Sequence, residues 1–533
     1  MKEIKELKLE ELTTKQKLGM VWTAHVRNFN FLPCPGDNME FVLQMIRERS
    51  LGSVWVDPGL PNRAELMQQI KDAADYPILI ICDAESGFGN YQVGQHNAIG
   101  RTGDPKLAYT FGKVTGVSAY QAGYNVVCDP VLDMCDCNCV CGGTMRSLGG
   151  DKYKVTELAT GIAQGLKDAG VLTVGKHYPS AKGDTSIDSH MAEGSSAATV
   201  EELQDYWLYP YMELYKKGLL DGIMTRHGVY RNIDPDHPAS LSKKVIGVIR
   251  DMGFDGFAIT DALIMSGVAA KFGERTCRGM AISGGNDLAL TWLDNEESFK
   301  SICETYEQGI ITDERLDEAV RRVLEAQHKT LSLPKVTEIT DEDIENFNSI
   351  NRDFIFAKCD EGLTPALDTD ARHCFVVLVE SEAEVDSHGK VNVDTMNKGW
   401  YRPGDIEKRL RELFPNSDVR FLRQFPTADE TMFLLQETVP YDDVVYITFM
   451  LSAAYTGPEC LTTRVTAGIQ ALQVTNRVSA VLHFGNPYVM EDLVHIPRIV
   501  IGGMSRDAVN YGLDVLAGKL EAKGVLTYDV KFQ

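Results

Sequence analysis

The succession of short apolar runs along this chain limits its fold more than any other feature. Between Leu18 and Leu290 eight such runs follow one another: Leu18–Ala24, Ser53–Val56, Ile78–Cys82, Asn125–Val131, Val171–Gly175, Gly222–Thr225, Gly256–Thr260 and Asp287–Leu290. Amphipathic stretches such as Pro61–Ala74, Lys106–Ala122, Lys154–Ala169, Val200–Lys217 and Lys243–Met252 separate them. Apolar runs of this length read as buried parallel strands, and the stretches between them as crossover helices. Eight strand–helix units in about 300 residues predict a (β/α)8 TIM-like barrel. A doubly wound open sheet is the alternative; eight consecutive units favour closure.

At 533 residues the chain exceeds one ordinary core. The barrel is expected over 1–335, closed by an amphipathic helix at Thr312–Leu331. An acidic segment, 336–371, partly helical at Asp341–Phe347, reads as a connector packed against the barrel. Over 372–533 a second series of strand runs appears, CFVVLVE, VRFLR, DVVYITFML, VSAVLHFG and RIVIGGM, with helices between. Five such runs predict an open parallel sheet with helices on both faces, an α/β/α sandwich.

The formal charge of −23 argues against nucleic acid or an anionic membrane surface as partner. No apolar run approaches a membrane span, and the N-terminus lacks the apolar core of a signal peptide. Twelve cysteines in that setting imply reduced thiols in a cytoplasm. A homodimer is left open.

Barrel active sites sit at the C-terminal ends of the strands. The run ends carry His25, Asp57, Asp83 with Glu85, Asp133, Lys176 with His177, Arg226 with His227, Asp261, and Asn286 with Asp287. The densest stretch is GKHYPSAKGDTSIDSH, from Gly175 to His190, which follows a strand run with Lys176, His177, Lys182, Asp184, Asp188 and His190. A carboxylate two residues from an imidazole can hold one ring nitrogen and leave the other to carry a proton.

These motifs resemble glycoside hydrolase family 3, in its β-N-acetylglucosaminidase branch. GKHYPSAKGDTSIDSH is similar to that branch's KHFPGHGDT…DSH loop. GIMTRHGVY…HPASLSKKVIGVIRDMGFDGFAITDAL resembles its MTAH…PATLS…GFDGVVISDDL segment. NVVCDPVLDM, TMRSLGGD, CDAESGFG and VLHFGNPYVM match further elements along the whole chain. The resemblance implies a retaining, exo-acting β-N-acetylglucosaminidase with Asp261 as nucleophile and Asp188–His190 as an acid/base dyad. It also implies that Asp83, Arg146, Lys176 and His177 hold the hydroxyls of a carbohydrate substrate, with no cofactor and no metal. A β-N-acetylglucosaminide or β-glucoside phosphorylase or a β-glucosidase of the same family is the alternative, and a sugar-binding protein with a dead site a third reading.

The chain departs from the family pattern at Ser180-Ala181-Lys182, at Ser86-Gly87, and at Arg226, where alanine is common. Those departures bear on substrate detail; Lys182 and Arg226 either favour an anionic substrate or pair with nearby acids. Five thiols, Cys128, Cys135, Cys137, Cys139 and Cys141, crowd one stretch without counterpart in the family. Their alternating spacing is poor for zinc, and a reduced, non-ligating loop is expected.

Overall fold

The structure, a computed structural model, describes the chain except residues 1–3, 27–38, 136–142, 184–186, 292–293, 380–383, 386–390, 393–401, 451–459, 504 and 533. It divides into two compact units, one of residues 1–92, 105–134 and 151–344 and the other of residues 93–104, 135–150 and 345–533.

The first unit is built on eight strands: β1 Trp22–Val26, β2 Ser53–Val56, β3 Leu79–Cys82, β4 Val126–Val127, β5 Leu172–Tyr178, β6 Gly222–Thr225, β7 Phe257–Thr260 and β8 Ala289–Leu290. They lie in the order β7-β6-β5-β4-β3-β2-β1-β8, each parallel to its neighbours. A parallel bridge between Ile259 and Leu288 joins the two ends of that order, so the sheet curls into a barrel. Alternation along the strands sends Leu79 and Ile81, Leu172 and Val174, and Phe257 and Ile259 into one shared core with Val126, Met224 and Leu288. Gly222 makes room for this filling, since a Cβ there would lie 2.6 Å from the Phe257 ring. Each such buried side chain contributes about 1.5–3 kcal/mol. The interior is therefore a packed plug, and chemistry is confined to the rim.

Two barrel boundaries differ from the sequence reading. The run Leu18–Ala24 is split: Thr13 and Gln16 form a reciprocal capping box that starts a helix over Thr14–Met20, and the strand begins only at Trp22. Asn286 and Asp287 precede β8 instead of ending it. Asp287 is fully buried there and binds Arg250, Arg315 and Arg322, an ion-pair network with no place at the mouth.

In the second unit six strands, β9 Phe356–Cys359, β10 His373–Val379, β11 Asp418–Arg423, β12 Asp443–Phe449, β13 Val478–Phe484 and β14 Arg498–Gly502, form a sheet in the order β9-β14-β13-β12-β10-β11. All neighbours are parallel except β9, which runs antiparallel to β14. Cys374, Val376 and Leu378 pack on helices Ala428–Glu437 and Thr463–Gln473 through Leu434, Val465, Ile469 and Leu472. The opposite face carries Phe375 and Phe484, packed against Phe414 and Gly512 at helices Pro403–Leu413 and Arg506–Leu516. The segment read as a connector thus contains a longer helix, Asp341–Asp353, and the edge strand β9.

Residues 93–104 and 135–150 belong to this unit for identifiable reasons. The fully buried Arg101 donates to the carbonyls of Ile501 and Gly502 and lies 4.7 Å from the Phe354 ring centroid. Tyr528 shares its hydroxyl between the carbonyls of Thr144 at 3.0 Å and Ser147 at 2.9 Å.

Candidate active site

Strand alternation selects the side chains that reach the barrel mouth. Asp83 continues the inward face of Leu79 and Ile81, Lys176 that of Leu172 and Val174, and Asp261 that of Phe257 and Ile259. The next residue after Lys176 should point away. Instead the pairing of β5 with β6 slips there: Lys176 faces Met224 and Tyr178 faces Thr225, leaving His177 as an extra residue. Such a bulge re-aims a side chain, and His177 turns to Asp133, with Nδ1 and Oδ2 2.6 Å apart. The carboxylate can only accept, so Nδ1 carries the hydrogen and Nε2 is the ring's second hydrogen-bonding atom. The Lys176–His177 peptide is cis.

Lys176 is almost wholly buried, with Nζ 2.5 Å from Asp83 and 2.6 Å from Glu85. An ammonium in that position is tolerated because two carboxylates neutralise it. Asp83 keeps about half its surface exposed, so one member of the cluster faces solvent.

Asp188 and His190 sit on the loop after β5. Asp188 is buried, and its Oδ1 accepts both from the His190 backbone N–H and from ring Nδ1, each at 2.8 Å. That loop is fastened to the segment following β7: Ser266 N–H donates to the His190 carbonyl at 3.2 Å and Gly267 N–H to the Ser189 carbonyl at 3.1 Å. Gly267 is required, since a Cβ there would lie 2.4 Å from the Ser189 oxygen. The dyad is thereby fixed to the chain that leaves Asp261.

Asp261 is itself anchored by its backbone N–H to the Thr225 carbonyl at 2.9 Å, while its Oδ1 accepts from the Ala262 amide at 2.7 Å. Burial pushes its carboxyl up, but His177, His227, the Ala262 amide and His190 together hold it below the usual aspartate range. It is ionised at neutral pH, the state an attacking carboxylate needs. His227 stands beside Asp261, fully buried. Both ring nitrogens are engaged, Nδ1 with the Ser240 hydroxyl at 2.7 Å and Nε2 with the Ala262 carbonyl at 3.0 Å. Burial pushes its imidazole down, against the pull of Asp261, so it is a neutral brace for the backbone beside Asp261.

The structure thus brings Asp83, Lys176, His177, Asp188, His190 and Asp261 together in one unit. Arg146 ends the short helix Gly143–Arg146 of the other unit, where its carbonyl engages His96 Nδ1 at 3.2 Å. Two participants had only their position at strand ends to mark them: Glu85, bound to Lys176, and Asp133, bound to His177. Asp184, Cys137, Cys139 and Cys141 lie outside the described residues.

With this geometry established, the comparisons with known proteins have a physical counterpart. Residues 13–326 match the model of the glycosyl hydrolase family 3 N-terminal domain. A β-hexosaminidase of Idiomarina loihiensis is 30% identical over 248 residues, 44% of this chain and 73% of that protein. A β-N-acetylglucosaminidase/β-glucosidase of Cellulomonas fimi is 25% identical over 303 residues, 51% of this chain and 52% of that protein. A solved family 3 β-N-acetylglucosaminidase from Paenibacillus sp. str. FPU-7 superposes with a TM-score of 0.78 at 25% identity, covering 98% of this chain and 100% of that one. A β-glucoside phosphorylase reaches the same TM-score at 21% identity over 98% of this chain and 94% of that one, a likeness of fold alone. Barrel, strand-end residues and a family match over more than half the length agree: the chain belongs to glycosyl hydrolase family 3.

Proposed function

We propose that this glycoside hydrolase is a retaining, exo-acting β-N-acetylglucosaminidase that releases terminal β-linked N-acetylglucosamine from oligosaccharides or muropeptide fragments. The observation that carries the reading is the fastening of the Asp188–His190 loop to the segment that leaves Asp261, whose carboxyl lies below the usual aspartate range. Asp261 attacks the anomeric carbon as the bond to the leaving oxygen breaks, and His190 gives that oxygen a proton. Water then displaces the carboxylate of Asp261 from the sugar, and His190 takes its proton. Asp188 orients the imidazole and stabilises the imidazolium. Asp83, Lys176 and His177 hold the sugar hydroxyls through charge-assisted bonds. The eight described cysteines are free, which supports a reducing, cytoplasmic setting. Release of the phenol from an aryl N-acetyl-β-glucosaminide, absent in Asp261→Ala, tests the reading; faster turnover of the matching aryl β-glucoside would overturn it.

A second reading follows from one feature. The acid/base is an imidazole where most glycosidases use a carboxylate, so the site bears less negative charge and admits phosphate more easily in place of water. Sugar 1-phosphate in reactions supplied with phosphate would identify a phosphorylase.

A further inference from the structure

The groups described so far are almost wholly ionic, yet the loop that carries Asp188 and His190 also bears two exposed apolar side chains. Ile187 is 41% exposed and Met191 57%, and they bracket Asp188 and His190 in the chain. Of the large apolar side chains exposed among the described residues of the first unit, these two alone lie within three residues of a candidate site residue. Single exposed apolar residues are ordinary on protein surfaces, so exposure by itself decides nothing. Their position does.

The loop that carries them is held from several sides. Met191 and Ala192 N–H both close on the Asp188 carbonyl, at 2.9 and 3.0 Å; Ser189 and His190 carbonyls accept from Gly267 and Ser266; Glu193 pairs with Lys271 at 3.0 Å. Exposure here therefore belongs to a fastened turn. A general acid works within about 2.6–3.2 Å of the oxygen it protonates. That oxygen joins the departing group to the sugar, and adjacent Cα atoms are about 3.8 Å apart. Met191 follows His190 directly and Ile187 precedes Asp188, so both stand on the turn that would deliver the proton to that oxygen. The glycone side is taken by Asp83, Lys176 and His177, whose polar groups suit hydroxyls.

We infer that Ile187 and Met191 form an apolar platform for the leaving group, selecting aglycones that present a ring face, such as the C–H face of a second pyranose or an aryl ring. The thioether of Met191 suits this contact, since it is polarisable, adapts its shape and packs well on rings. This inference rests on the reading of His190 as the acid.

The test compares N-acetyl-β-glucosaminides that differ in the leaving group: methyl, p-nitrophenyl and a second N-acetylglucosamine (chitobiose). In Met191→Ser and Ile187→Ser the ratio of kcat/KM for chitobiose to that for the methyl glycoside should fall about 5- to 10-fold, mainly through KM, the scale of one lost apolar contact. The p-nitrophenyl to methyl ratio should fall alongside, because both larger groups carry a ring. Met191→Leu, which keeps an apolar side chain, should restore both ratios. Equal losses on all three substrates would show that the loop has merely been disturbed, and unaltered ratios would show that no platform exists; either result overturns the inference. His190→Ala separates this failure from that of the underlying reading, because its losses should follow the acidity of the leaving group and not the presence of a ring. If those losses are independent of acidity, the reading of His190 falls, whatever the serine variants do.

Discussion

A single oxygen, Oδ1 of Asp188, accepts from both the backbone N–H and ring Nδ1 of His190, each at 2.8 Å. One acceptor thus fixes the turn and the tautomer together, and in the proposed mechanism proton exchange with substrate passes to Nε2. His190→Ala should lose rate according to how much the leaving group needs a proton. On chitobiose the loss should be on the order of 10²–10⁴-fold. On a dinitrophenyl glycoside bond cleavage should stay fast, with azide restoring turnover and yielding a β-glycosyl azide. Equal losses on both substrates with no rescue would make His190 structural.

Asp188→Asn preserves shape but offers an amide where a carboxylate stood. The ring then has no anion to stabilise its charged form, and the amide N–H can favour the opposite tautomer. Turnover of the p-nitrophenyl substrate should fall on the order of 10²-fold or more, with little change in melting temperature. Retained activity would contradict the orienting role.

Gly267→Ala probes the fastening of the dyad loop. A Cβ at this position lies 2.4 Å from the Ser189 oxygen and 3.0 Å from that of Ala192, so the loop must move. The clash is with backbone oxygens, so the preference of a helix for alanine over glycine, about 1 kcal/mol, does not offset it, and a lower melting temperature should accompany the shift of the loop. Displacement of a catalytic group by about 1 Å can cost on the order of 10²-fold, and kcat should fall at least tenfold. Full activity would show that the loop's position is immaterial.

His483 predicts an acid weakness in the second unit. Burial drives its imidazole down to about 3, with the Asn486 carbonyl opposing and Arg101 assisting. Nε2–H donates to the Asn486 carbonyl at 3.0 Å and the Thr448 hydroxyl to Nδ1 at 2.8 Å. Between about 6.5 and 3 the unfolded chain binds a proton here that the folded one refuses, so stability is full above pH 6.5 and declines as pH falls. The slope from this group approaches about 1.4 kcal/mol per pH unit. Thermal melts from pH 6.5 to 4.5 should therefore decline less steeply in His483→Gln than in the parent; identical slopes would refute it.

The barrel was legible because eight apolar runs carry a periodic signal that needs no partner to be read, and the five parallel strands β10–β14 were legible for the same reason. What escaped was set by contacts between distant residues. Phe356–Cys359 became a strand only because β14 offers it an edge, and residues 93–104 and 135–150 joined the second unit through Arg101 and Tyr528. A capping box took Thr14–Met20 from the first strand run, a local signal outweighed in the reading by the apolar Leu18, Met20 and Val21. In the candidate site the residue types and strand-end positions were visible. The pairing of His177 with Asp133 and of Lys176 with Glu85, and the conversion of His227 into a neutral brace, depend on burial and register that no local pattern encodes.

The central claim is that Asp261 becomes covalently bound to the sugar, and trapping that intermediate tests it most directly. Incubation with a fluorinated mechanism-based N-acetylglucosamine analogue should inactivate the enzyme and add the mass of one sugar. Proteolysis and mass spectrometry should place that mass on the peptide containing Asp261, and Asp261→Ala should take up none. Label on another carboxylate, or complete turnover with no covalent species formed, would contradict the account.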